Sequence, residues 1–214
     1  MDAPAHAKKS PLVFVFLALL IDTIGFGIIM PVLPKLIMEI SGVDVSGAAR
    51  IGGFLLLVFA AVQFLFGPVM GNLSDRFGRR PVLLLSMLAF GVNYALMGLS
   101  PTLSFLFAGR ALTGMAGAIY APANAFIADV TPPDKRAQSF GLVGAAFGFG
   151  FIIGPALGGF LGELGPRAPF FAAAILALLN FVFGLFALPE SLPKERRRPF
   201  SLARANPLGT LRAF

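Results

Sequence analysis

The 214 residues contain no cysteine, which excludes disulfides, thiolate metal sites and cysteine nucleophiles. There is one histidine, His6, within the first ten residues, so no serine–histidine pair and no histidine-held metal can be assembled. No metal and no organic cofactor is expected. Charge is scarce too: Asp, Glu, Lys and Arg make up 13% of the chain, about half the share of an ordinary soluble domain. Strict apolar–polar alternation is missing, which argues against a closed β-barrel. No cleavable leader is evident, because the first apolar stretch is longer than a signal core and carries Asp22 and two prolines.

What remains is apolar. Hydrophobic residues make up 57% of the chain and the mean hydropathy is +0.85. No soluble fold of this length hides so much apolar surface, so the solvent is lipid. A bilayer is crossed by about 20 apolar residues in a helix, and six segments qualify: 12–38, 51–71, 81–100, 103–129, 138–162 and 169–189. The expected fold is an all-α membrane protein of six transmembrane helices. A tail over 1–11 precedes the bundle of 12–189, and 190–214 begins a polar, basic loop. The net charge of +7 lies between the spans, which favours membrane orientation over nucleic acid as its explanation. With the amino terminus in the cytoplasm, thirteen Lys and Arg residues fall inside and three, Lys35, Arg50 and Arg167, fall outside. Both ends of the chain are therefore expected on the cytoplasmic side of a cell (inner) membrane. Glu195 to Arg198 reads either as a surface against anionic lipid or as a stop-transfer cluster.

A weak internal repeat runs through the spans. Gly67, Pro68 and Gly71 recur 87 residues later as Gly154, Pro155 and Gly158, and Asn93 recurs as Asn180. At an offset of 88, Asp22 aligns with Arg110, Pro34 with Pro122 and Pro81 with Pro169. Three helices is an odd number, so the second triplet runs opposite to the first. The expected architecture is two inverted three-helix repeats, which place functional groups near the midplane. Asp22 lies about 15 Å into the first span and Arg110 roughly 10 Å into the fourth.

Asp22 and Arg110 are the full charges well inside the spans. Each costs about 3 kcal/mol at the bilayer centre unless it is paired or faces a water-filled cavity. They are expected to pair, with Asp22 as the protonatable group and the pair as the proton-coupling site. A static ion pair, or an outward-reaching Arg110, is the plainer alternative. Between the second and third spans, Gly71, Asp75, Arg76, Gly78 and Arg79, with Asp129 at the end of the fourth, are expected to form an inner-gate charge cluster. Spacing alone leaves a solvated loop equally open. Gly150, Gly154 and Gly158 recur every four residues, so they share one helix face and permit close helix approach, while Pro155 kinks the helix. Gln63, Asn93, Tyr94, Tyr120, Asn124 and Asn180 are candidate substrate contacts, although buried amides often serve as helix glue.

These motifs carry a resemblance. The run Gly71 to Arg80 resembles the major facilitator superfamily loop signature at Gly71, Leu73, Asp75, Arg76, Gly78 and Arg79, departing at Ser74 and Arg80. In that family the aspartate and arginine take part in conformational switching, which the resemblance assigns to Asp75 and Arg79. Arg110 with Gly114 and Gly117 resembles the fourth-helix motif implicated in proton transfer. Gly150, Gly154, Pro155, Gly158 and Gly159 resemble the fifth-helix motif of antiporters. Asp22 with Gly25, Pro31 and Pro34 resembles the first-helix motif of drug exporters. The runs Asp75 to Leu84, Phe126 to Thr131, Phe147 to Gly150 and Ala168 to Ala174 are similar to tetracycline/proton antiporters. Those carry an acid just before the third-helix tyrosine, where Asn93 stands here, so a charge is gone from the presumed drug route.

The resemblance implies a non-enzymatic secondary transporter that exports a drug or small amphiphile, tetracycline-like, in exchange for protons by alternating access. Its partners would be the bilayer, protons, the drug and a carboxyl-terminal six-helix half expected beyond residue 214, with no nucleic acid. An importer of metabolites on the same scaffold and a homodimerising six-helix half are the alternatives. A six-span intramembrane protease is disfavoured, since no span holds a histidine.

Overall fold

A computed structural model describes residues 11–202 and 204–206. Of the expected tail over 1–11, residues 1–10 with His6 lie outside the described residues, as does Arg212, while Pro11 already begins the first helix. Eight α-helices run in the order α1 (Pro11–Ile29), α2 (Leu33–Ser41), α3 (Val45–Phe77), α4 (Arg79–Gly98), α5 (Leu103–Gly117), α6 (Tyr120–Val130), α7 (Arg136–Leu161) and α8 (Ala168–Ala187), with short 3-10 turns between and after them. Among the described residues there is no strand, and six helical stretches are long and apolar enough to cross a membrane.

The spans differ from expectation at their edges, for local reasons. The first is not one helix: α1 ends at Ile29 and α2 starts at Leu33, with Pro31 in the break and Pro34 at its far side. The fourth is broken likewise between α5 and α6, upstream of Pro122. A proline removes a backbone donor and crowds the carbonyl four residues back, which is Met30 for Pro34 and Ala118 for Pro122. The two interruptions are 88 residues apart, the offset of the repeat.

The second span is longer than expected at both ends. Asp44 caps it by accepting a hydrogen bond from the Gly47 amide at 2.8 Å, so α3 starts six residues early. At the other end the expected loop over 72–80 continues as helix to Phe77, and Gly78 alone separates it from α4. At 1.5 Å per residue, α3 is about 50 Å long, against about 30 Å of hydrocarbon. Its last turns therefore stand in the headgroup region or beyond.

Packing follows the repeat. The most extensive contacts of α1 are with α7 and α8, those of α5 are with α3 and α4, and α4 lies along α8. Exchanging the triplets converts the α1–α7 contact into α5–α3, and α1–α8 into α5–α4. Asn93 on α4 donates to the Gly109 carbonyl of α5 at 2.8 Å, and Asn180 on α8 donates to the Ala18 carbonyl of α1 at 2.9 Å. Each amide thus ties the third helix of one triplet to the first helix of the other.

The α1–α7 crossing is the tightest. A Cβ on Gly154 would stand 2.7 Å from the Gly27 Cα and 2.8 Å from the Ile24 carbonyl oxygen, and one on Gly150 would stand 2.6 Å from the Thr23 Cβ. The motif glycines on α7 therefore set the distance to α1, the helix that carries Asp22. Gly159, on the opposite side, meets nothing within 4 Å. The uncovered surfaces are also uneven: 6% of the most apolar stretch of α3 is buried and 17% of that including α7, against 61% for α4.

Gly154→Ala is expected to destabilise the bundle by about 1–3 kcal/mol, the usual cost of overpacking against atoms that cannot yield. Gly159→Ala should leave stability unchanged. Thermal unfolding of the two purified variants in the same detergent checks both.

Candidate functional site: a buried carboxylate in an aromatic cavity and a charged clasp

Asp22 sits midway along α1 and is 9% exposed. Its Oδ1 accepts a hydrogen bond of 2.9 Å from the Asn180 amide, which also bonds the Ala18 carbonyl one turn back on α1. One amide of α8 thus grips both the side chain and the backbone of α1. The second oxygen, Oδ2, is buried with no donor among the described residues. Thr23 beside it is already used, donating to the Leu19 carbonyl at 2.7 Å.

Asp22 and Thr23 open onto a cavity of about 180 Å³. Five phenylalanines, Phe26, Phe59, Phe90, Phe147 and Phe151, supply most of the wall, together with Tyr120 and Gln63. The rings interlock: Phe26 lies 5.4 Å from Phe59 and 6.1 Å from Phe151, and Tyr120 lies 5.0 Å from Phe147. Gln63 donates to the Gly117 carbonyl at 2.9 Å, holding α3 to the end of α5. Among the described residues, Asp22 is the one full charge lining this space. An apolar, aromatic chamber with a single acid suits a flat amphiphile or cation better than an anion.

Arg110 does not pair with Asp22. No acid lies within 4.0 Å of its guanidinium among the described residues, and its Nε has no partner. It is 3% exposed, its Cζ lies 5.9 Å from the centre of the Phe26 ring, and it borders a separate cavity with Met30, Pro34 and Leu56. The expected ion pair fails because equivalent places in the two triplets give like depth, not adjacency: α1 packs on α7 and α8, whereas α5 packs on α3 and α4. Phe26 connects the two environments, since it lines the Asp22 cavity and underlies Arg110.

The candidate substrate contacts divide. Gln63 and Tyr120 reach the Asp22 cavity, and Asn180 holds Asp22 itself. Tyr94 packs its ring against Gly25 of α1 and stacks on Phe90 at 5.7 Å, with its hydroxyl unpartnered. Asn93 is committed to α5, donating to Thr113 as well as to Gly109. Asn124 is exposed on α6. The aromatic wall went unassigned in the sequence, although the four-residue spacings from Asp22 to Phe26 and from Phe147 to Phe151 place each pair on one helix face.

A second constellation lies where α3 meets α4. Arg79 donates from Nη1 to Asp75 Oδ1 at 2.5 Å and to Ser74 Oγ at 2.7 Å, and from Nε to Asp129 Oδ2 at 3.2 Å. Arg76 takes no part: it is exposed, 5.1 Å over the ring of Phe77. The cause is the break at Gly78: Arg79 is the first residue of α4, and the turn there brings it back to Asp75, while Arg76 follows Asp75 on α3 and faces elsewhere.

The segment after α8 closes over this cluster, and the sequence reading missed its part. Glu190 Oε1 accepts from the Arg79 amide at 2.9 Å, and Ser191 donates to Asp129 at 3.1 Å. The Arg198 amide donates to the Asp75 carbonyl at 3.0 Å, and Arg204 lies 3.9 Å from Asp75 Oδ2. Asn72 donates to the Ser201 carbonyl at 2.6 Å. Gly78 is required here twice over: its φ is +105°, and a Cβ would run into the Glu190 carboxylate. Among the described residues no three His, Cys, Asp or Glu side chains are grouped to hold a metal ion.

A family model described as Major Facilitator Superfamily matches residues 15–214. Tetracycline resistance protein, class C, of Escherichia coli is 46% identical over 205 residues, which cover 96% of this chain and 51% of that protein. Multidrug resistance protein 2 of Bacillus subtilis is 35% identical over 204 residues, 94% of this chain and 49% of that protein. The crystal structure of the human organic anion transporter MFSD10 (TETRAN) superposes with a TM-score of 0.81 at 29% identity, covering 97% of this chain and 55% of that one. The chain spans about half the length of the curated relatives it matches.

Arg79→Ala should lower stability by on the order of 2 kcal/mol, because two carboxylates lose their charged donor together. Arg76→Ala should change it by less than about 0.5 kcal/mol. Denaturation of the two variants, followed by circular dichroism in detergent, compares them.

Proposed function

Because the chain belongs to the Major Facilitator Superfamily, a family of non-enzymatic transport proteins, we propose that it is the six-helix amino-terminal half of a secondary exporter that moves an amphiphilic drug outward in exchange for protons. The observation that carries this reading is Asp22: a carboxylate inside a membrane span, held on one oxygen, bare on the other, and facing an aromatic chamber. An acid so placed is costly as an anion and has room for a proton on Oδ2. A cationic or polarised drug entering the chamber would compensate the charge, and a proton would compensate it in the drug's absence. Drug and proton then compete for one group, which is the minimal requirement for exchange.

The α7 glycine face supports the same reading, since it seats α1 and therefore Asp22 against a helix that can rock. The Arg79 clasp would act as the inner gate, with Asp75 and Asp129 held only while α3, α4 and α6 keep their present positions. A second six-helix half would cover the bare faces of α3 and α7 and complete the drug path. With the basic residues inside, both ends of the half lie in the cytoplasm. The tetracycline and multidrug resistance names of the relatives point to drugs as the substrate class.

Asp22→Asn in the full-length transporter should leave membrane expression intact and abolish drug accumulation driven by an imposed pH gradient in inverted vesicles. Asp22→Glu should retain part of it. Gradient-driven transport by the Asn variant at the parental rate would remove Asp22 from the mechanism.

A further inference from the structure

A pocket of about 600 Å³ lies on the flank of the bundle, away from the Asp22 cavity. It forms where α4 begins, where α8 ends, and where the following segment folds back. Arg80, Lys194 and Arg197 bring three cations to it, and Glu190 brings one acid. The acid is already engaged: Oε1 accepts from the amides of Arg79 and Leu192, and Oε2 lies 3.7 Å from Arg197 Nη2. The cations are not all engaged. Arg80 spends one nitrogen on the Leu185 carbonyl at 2.7 Å, but the Nε of Arg80 and the Nε of Arg197 are both buried without a partner. Lys194 is exposed, and the neighbouring Glu195, Arg196 and Arg198 are exposed outside the pocket.

Unsatisfied guanidinium donors want acceptors, and a phosphate diester offers acceptors and no donor of its own. The apolar part of the wall narrows the source. Leu84 and Leu185 belong to the ends of membrane-spanning helices, and Leu185 is 40% exposed. Free phosphate has no use for such a wall, whereas a lipid has glycerol and the first methylenes of its chains beside the phosphate. Basic pockets at the ends of membrane helices are read by anionic headgroups. We propose that Arg80, Lys194 and Arg197 form a binding site for the phosphate of an anionic phospholipid, seated between α4, α8 and the segment after α8. The bound phosphate would also sit one residue from Arg79, so the lipid would brace the clasp through Glu190 and Arg197.

The test is retention of phosphatidylglycerol against phosphatidylcholine by the purified chain, read by native mass spectrometry. The wild type should prefer phosphatidylglycerol. The double variant Lys194→Ala/Arg197→Ala should lose that preference, by about five-fold for each cation removed. Arg197→Lys should keep part of it. Arg196→Ala, an exposed cation next to the pocket, should match the wild type. Unfolding without added lipid identifies any variant that has merely failed to fold, and Arg80→Ala then replaces it. An equal loss in Arg196→Ala, or no loss in the double variant, overturns the site. Full displacement of phosphatidylglycerol by millimolar inorganic phosphate overturns the lipid as its occupant.

Discussion

The hydrocarbon core of a bilayer donates and accepts no hydrogen bonds, so every polar group within it must be satisfied by protein. Helices discharge that requirement for the backbone. The few polar side chains in the spans discharge it one at a time. Asn93 and Asn180 each bond a carbonyl on a neighbouring helix. Thr23 and Thr113 turn back to the carbonyls four residues earlier. A few neutral groups, such as the Tyr94 hydroxyl, are left without a partner, but among the described residues the full charges left incomplete well inside the spans are the Asp22 carboxylate, with one bare oxygen, and the Arg110 guanidinium, whose Nε has no partner. Both lie in the first helices of two related triplets, in the neighbourhood of one phenylalanine ring, Phe26.

Lipid as solvent is legible in the composition alone, and the six spans follow from length and hydropathy. The inverted repeat is legible too, faintly, through Pro34 and Pro122 and through Asn93 and Asn180. What the linear sequence conceals falls into two kinds. The first is a helix end hidden in a polar stretch: reading 72–80 as a loop put Arg76 and Arg79 on equal terms, whereas Arg76 lies on α3 and Arg79 begins α4 beyond Gly78. The second is contact over long sequence distance. Asn180 meets Asp22 across 158 residues, and Glu190 meets Arg79 across 111. No local pattern announces either. The mistaken Asp22–Arg110 pair has the same origin, since symmetry in sequence was taken for proximity in space.

The two constellations sit at different depths and answer to different media. The Asp22 cavity is walled mostly by aromatic rings, with one carboxylate among the described residues that line it. The Arg79 clasp lies at the aqueous end, where α3 has run past the hydrocarbon and several partly exposed charges share the work. The α7 glycines belong to the first of them: they set α1, which carries the acid, at a backbone-to-backbone distance.

The way the triplets interlock has a consequence for biogenesis. The main neighbours of α1, namely α7 and α8, are synthesised after α2 to α6. Asn180, which donates to Asp22 Oδ1, lies on α8 and emerges after all seven earlier helices. A ribosome feeding this chain into a translocon therefore delivers an acid to lipid long before its partner exists. The bonds from Asn180 that tie α1 to α8 can form only once α8 has followed the earlier helices into the membrane.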